Sequence, residues 1–178
     1  MTYGESLLLG VIQGITEFLP VSSSGHLVVM KNVMSLHNVP LLFDVLLHVA
    51  TLFVVLLVFR DRVGRILTAV GRTLVGRQDE EDSENIHLLW IIIVSTIVTG
   101  VLGLFFERME WFGHIKIVSV LFIATGVLLI STRFARGSVG YGTIKLKHGL
   151  IAGLAQGLGV LPGISRAGAT ISAALLHG

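Results

Sequence analysis

Three stretches decide what this chain can fold into: residues 41–59, 87–106 and 115–131. Each is almost wholly apolar and close to the roughly 20 residues that a helix needs to cross a bilayer. In lipid every backbone N–H and C=O must be satisfied within the structure, so each stretch is read as a helix. Composition agrees. The chain is 53% hydrophobic and 13% charged, with a mean hydropathy of +0.86, whereas a soluble domain carries about 25% charged residues. The expected class is an all-α integral membrane protein. The net charge of +2 gives no argument for a nucleic-acid partner. The absence of cysteine removes disulfides, thiolate nucleophiles and cysteine-ligated metals. The opening MTYGESL has no basic leader, so no cleavable signal peptide is expected.

Charge in the connections sets the orientation. Arg60, Arg62, Arg65, Arg72 and Arg77 follow the first span, and Arg133, Arg136, Lys145 and Lys147 follow the third. The connection between the second and third carries only Arg108 and Lys116, and the segment before residue 41 only Lys31. Lysine and arginine collect on the cytoplasmic side. Residues 60–86 and 132–148 are therefore placed inside, and 31–40 and 107–114 outside. The acidic run DEEDSE at 79–84 is read as a solvated loop.

Two shorter apolar stretches, 6–19 and 149–161, are interrupted by Gly and Pro, and a last one, 167–176, follows. They hold an internal repeat. GVIQGITEFLPV (10–21) aligns without gaps on GLIAGLAQGLGV (149–160). Gly10 matches Gly149, Gly14 matches Gly153, and Glu17 falls on Gln156. Each copy runs into a serine-containing turn, SSSGH in the first and PGISR in the second. If the first copy dips in from outside and returns, the three spans make the second enter from inside. The copies are then inverted and meet at mid-membrane, where transporters built from inverted repeats place their sites. The expected layout is one polytopic domain over 1–178: re-entrant hairpins at 6–30 and 149–176, with spans at 41–59, 87–106 and 115–131 between them.

The reactive side chains cluster at the two turns. Gln13 and Glu17 are four apart and share a helix face. Gly10 and Gly14 form a GxxxG pair that invites a close helix neighbour. An ionisable residue in an apolar helix is expensive and is functional by default, which singles out Glu17. Pro20 ends the helix, and Ser22, Ser23 and Ser24 follow. Serines there cap the next helix or present donors to an anion at its N-terminus. His26 shares this ten-residue window with a carboxylate and three hydroxyls and is read as part of the chemistry. In the second turn Pro162 and Gly163 break the helix before Ser165, Arg166 and Thr170. An arginine in an apolar segment needs an anionic partner, and its planar fork suits phosphate. Acid or base, hydroxyls, imidazole and a phosphate clamp fit phosphoryl transfer, with a lipid as the substrate that arrives from the bilayer.

These motifs resemble those of the undecaprenyl-diphosphate phosphatase family known from bacitracin resistance, the BacA type. The Glu/Gln-x-x-x-Glu motif falls on Gln13 and Glu17, its continuation on FLPVSSSGH, and the PGxSRSxxT motif on PGISRAGAT. The resemblance covers essentially the whole chain, including FDVLLHVATL at 43–52. It implies hydrolysis of a polyprenyl diphosphate to the monophosphate and phosphate, recycling the lipid carrier of cell-envelope glycan synthesis. The charge orientation puts residues 20–40 toward the outer face, so a plasma-membrane site open to the outer side is expected, and homo-oligomerisation is left open. Glu17, His26 and Ser23 would be catalytic, with His26 and Ser23 the rival nucleophiles. Gln13, Ser22, Ser165, Arg166 and Thr170 would bind substrate. Glu17 would also hold a divalent cation, Mg2+ or Ca2+. Ala167 departs from the family, which usually has serine there. Family members also continue past the second motif, so the second repeat is expected to be incomplete, and a chain that is a fragment is expected to lose activity on its own. Two other readings compete. The acid-phosphatase-like lipid phosphatases share an SGH element, but Thr170 stands where their second-motif histidine should be. A transporter or flippase of a lipid-linked or anionic substrate is the alternative of a different class.

Overall fold

The computed structural model describes residues 1–36, 38–109, 114–135 and 144–177. Among these residues eight α-helices follow in chain order: α1 (Tyr3–Thr16), α2 (Ser23–Val33), α3 (Leu41–Val58), α4 (Arg60–Leu74), α5 (Glu80–Glu107), α6 (Ile115–Ser131), α7 (Leu146–Leu158) and α8 (Arg166–Leu176). A 3-10 turn, Thr132–Phe134, extends α6. Among the described residues three segments are long and apolar enough to cross a membrane: Leu41–Val58, Glu80–Phe106 and Ile115–Phe134, with hydropathies of 2.6, 2.5 and 2.2. Most of their side chains face outward, Leu57, Phe53, Val101 and Ile123 among them. Only lipid makes such a surface favourable, so the chain is an all-α integral membrane protein. The arms of the pairs α1–α2 and α7–α8 have 14, 11, 13 and 11 residues. At 1.5 Å per residue none reaches across a hydrocarbon core about 30 Å thick.

The acidic run is not a loop. Asp79 caps α5 in a reciprocal box with Asp82, and residues 80–84 form its first turns. Carboxylates are favoured there by the exposed N–H groups and the helix dipole. Arg72 of α4 pairs with Asp79 at 3.1 Å and Asp82 at 3.5 Å. Residues 60–74, read only as an inside connection, form α4, a basic helix that also carries Leu67, Ala69 and Leu74. Such a helix suits the membrane surface. Of the connections used for orientation, His37 and residues 110–113 and 136–143 lie outside the described residues.

Small residues hold the bundle together, on a different helix from the one expected. Gly149, Gly153 and Gly157 of α7 are buried against α5. A β-carbon at Gly149 would meet Ile91 Cγ2 at 2.8 Å, and one at Gly153 would meet the Ser95 carbonyl oxygen at 2.8 Å. Thr99 Oγ1 donates across the same seam to the Gly153 carbonyl at 3.2 Å. The GxxxG pair of α1 makes no such contact. A β-carbon at Gly10 would reach only the Leu47 side chain, at 3.8 Å, and one at Gly14 would have nothing within 4 Å. The spacing was the same in both copies, but only the α7 copy has a described helix laid along it. Gly153→Leu is therefore expected to force α7 off α5, at a cost of about 1–3 kcal/mol for overpacking. A thermal melt in detergent checks this. The variant should melt clearly below wild type, while Gly14→Ala should melt beside it.

Candidate functional site at the junction of the two helix breaks

The first break is built by Pro20 and Ser22. α1 stops at Thr16, with the Glu17 N–H still bonded to the Gln13 carbonyl at 2.9 Å. Pro20 has no N–H to continue the ladder. Val21 N–H turns back to the Leu19 carbonyl at 2.8 Å. Ser22 then takes φ 66°, ψ 87° as the cap of α2. A non-glycine residue held there costs about 1–3 kcal/mol and persists only where surrounding bonds fix it. Those bonds are present. Ser22 Oγ accepts from the Gly25 N–H at 3.4 Å and, across the two breaks, from the Gly163 N–H at 3.1 Å.

The second break mirrors this. α7 stops at Leu158, Gly163 takes φ +102°, and Ser165 caps α8 by accepting from the Gly168 N–H at 3.0 Å. Thr125 of α6 clamps the turn from outside the repeat. Its Oγ1 donates to the Gly163 carbonyl at 2.8 Å and accepts from the Ser165 N–H at 3.1 Å. The breaks approach as bare backbone. A β-carbon at Gly25 would lie 2.9 Å from Gly163 Cα and N, and one at Gly168 would lie 3.1 Å from the Pro20 carbonyl.

Beside this junction lies a cavity of about 350 Å³. Glu17, Ser22 and Ser23 line it from the first break, and Ser165, Arg166 and Thr170 from the second. Glu17 Oε2 accepts from Ser23 Oγ in a short hydrogen bond and from Gln13 Nε2 at 3.0 Å. Gln13 is 1% exposed, so its amide holds the carboxylate from behind rather than facing the cavity, and its Oε1 has no hydrogen-bond partner among the described residues. Arg166 is exposed and forms no ion pair among the described residues. Thr170 Oγ1 donates to the Arg166 carbonyl at 2.9 Å, so its lone pairs are what it offers the cavity. The first residues of both α2 and α8 are in the wall. Two helix N-termini with an arginine between them attract an anion.

Two histidines stand differently from the sequence expectation. His26 is not among the lining residues. Its ring packs edge-on against Phe122, centroids 5.0 Å apart, and its Nδ1 lies 2.8 Å from the Ser22 carbonyl oxygen. It touches the site through the strained cap. His48, in the middle of α3, does line the cavity. Its Nδ1 bonds the Asp44 carbonyl oxygen at 2.8 Å, leaving Nε2 for a ligand. Asp44 in turn pairs with Lys31 at 2.5 Å, tying the end of α2 to α3. The signal for His48 was available: a titratable group inside an apolar span.

For a divalent cation the donors are few. Among the described residues no group of three or more His, Cys, Asp or Glu is placed to hold one. Glu17 is the single carboxylate of the cavity. That suits a cation bound by one carboxylate and by the oxygens of a diphosphate, and not a cage made by the protein alone.

Residues 6–178 match the model of the family described as bacitracin resistance protein BacA. A Treponema denticola protein named undecaprenyl-diphosphatase is 41% identical over 178 residues, covering 100% of this chain and 66% of the relative. Relatives of the same name from Desulfosudis oleivorans and Korarchaeum cryptofilum are 41% and 39% identical, over 98% and 100% of this chain and 67% and 68% of their own lengths. The chain thus spans about two thirds of the length of the curated relatives it matches.

Proposed function

The chain belongs to the bacitracin resistance protein BacA family, and on that premise we propose that it hydrolyses a polyprenyl diphosphate, such as undecaprenyl diphosphate, to the monophosphate and inorganic phosphate. In the cell this would return a lipid carrier to envelope glycan synthesis. The observation that carries the reading is the Ser23–Glu17 hydrogen bond in a cavity whose opposite wall is Arg166.

The diphosphate enters with its charge against Arg166, whose guanidinium can take two oxygens at once. The α2 and α8 N-termini supply further donors. Ser23 Oγ is the nucleophile. Its proton passes to the Glu17 carboxylate as Oγ attacks the terminal phosphorus. The bond from phosphorus to the bridging oxygen breaks, and the prenyl monophosphate leaves with the proton that Glu17 took. Water then attacks the phosphoserine, its proton passes to Glu17, and the bond from phosphorus to Ser23 Oγ breaks as that proton returns to Oγ and phosphate is released. Gln13 orients Glu17, and Ser165 and Thr170 shape the second wall. His26 holds the Ser22 turn, and His48 is the second proton donor and acceptor within reach of the substrate. Glu17 would hold Mg2+ or Ca2+, which would supply charge neutralisation for the diphosphate.

The excess of arginine and lysine at 60–77 and 133–147 supports a plasma-membrane protein whose cavity opens outward. In oriented vesicles phosphate should then appear on the outer side, and release only on the cytoplasmic side contradicts that orientation. The test of the function is phosphate release from farnesyl diphosphate by the purified chain. Glu17→Gln and Ser23→Ala should each lower kcat by about 10²–10⁴, the range for losing a positioned acid–base or nucleophilic group. Turnover untouched by both changes ends the assignment. Flux of the lipid without turnover would favour a carrier.

A further inference from the structure

A second cavity, about 610 Å³, adjoins the first. It lies between α7, α8 and residues 88–96 of α5, and it shares two lining residues, Gln156 and Thr170, with the polar cavity. Away from that shared wall it is mostly apolar, with Ile91, Ile92, Ala152 and Ala173 in its middle and Ser95, Thr96, His148 and His177 as its other polar residues. From Gln156 it runs back along α7 to His148, and from Thr170 along α8 to His177. Eight residues of helix make that length about 12 Å. Its volume is within the range of about 300–1,000 Å³ usual for small-molecule sites.

We propose that this cavity takes the first isoprene units of the substrate, so that Gln156 and Thr170 mark the passage from diphosphate to hydrocarbon. This rests on the prenyl diphosphate reading above. The end away from Gln156 and Thr170 lies beside the N-terminal half of α5, which begins next to the basic α4 and hence toward the inner side. An outer-leaflet lipid holds its head outward and its chain inward, so the direction of the cavity agrees with one entered from outside. Ala152 and Ala173 keep the passage open, and a large side chain at either fills it.

The test compares two diphosphates that differ only in chain length, dimethylallyl and farnesyl, on wild type, Ala152→Phe and Ala173→Phe. The ratio of kcat/KM for farnesyl over dimethylallyl diphosphate should fall about tenfold in both variants, the equivalent of about 1.4 kcal/mol. A farnesyl diphosphate analogue with a photoreactive group on its chain should label peptides containing Ile92 and Ala173. An unchanged ratio together with labelling elsewhere overturns the chain site while leaving hydrolysis intact. Equal loss for both substrates also overturns it, because the variants then act on the fold alone. Labelling of these peptides without turnover of either diphosphate supports the chain site and removes hydrolysis.

Discussion

Arg166→Ala is expected to lower kcat/KM for farnesyl diphosphate by about 10³-fold, the low end of what a transition-state arginine contributes in phosphoryl transfer. The residue starts α8, lines the cavity, and carries the one guanidinium in its wall. Among the described residues its charge is not spent on a protein carboxylate. Removing it takes nothing from the core, since the side chain is exposed and the Ser165 cap on Gly168 and the Thr125 clamp stay in place. The variant should therefore melt with wild type. Arg166→Lys restores the charge but not the fork and should recover only part of the loss. Steady-state kinetics on the three proteins with a melt of each checks this. Equal kcat/KM in Arg166→Ala and wild type would remove the arginine from the site.

Gly25→Ala should disable the protein by a different route. The new carbon would sit 2.7 Å from Phe122 Cζ and 2.9 Å from Gly163 Cα and N. The end of a phenylalanine ring can move. Gly163 cannot move freely, because Ser22 Oγ holds its N–H and Thr125 its carbonyl. The breaks must separate, costing about 1–3 kcal/mol as overpacking. A misplacement of even 1 Å between the two walls costs about 10²-fold in rate. Both a lower melting temperature and a loss of turnover are expected. Gly14→Ala is the control, with nothing within 4 Å of the added carbon. A Gly25→Ala protein with wild-type kinetics would mean that the breaks need not touch.

The spans were readable because lipid leaves no alternative to a helix for a long apolar run. The site was readable at its two ends, where Pro20 with the serines and Pro162–Gly163 with Ser165 and Arg166 interrupt that pattern. Gln13, Glu17, Ser22, Ser23, Ser165, Arg166 and Thr170 gather at the junction; their roles remain those of the proposal. What sequence spacing could not show is which way a side chain turns after a break. His26 is one turn from Ser22 and is drawn to Phe122, 96 positions away in sequence. His48 carries its own signal, a titratable group inside an apolar span, but a span scored as a whole averages over one polar position. DEEDSE looked like a loop because its charge outweighs its pattern, although an acidic run before an apolar one is also how a helix starts.

The claim that the two breaks form one catalytic site is tested most directly by a double-mutant cycle in single-turnover phosphate release, using Glu17→Gln, Arg166→Ala and the pair. Groups that act together on one phosphoryl group do not lose rate independently. The double variant is expected to be nearly as fast as the slower single variant. Losses that multiply, as for two distant and independent residues, would contradict a shared site between the breaks.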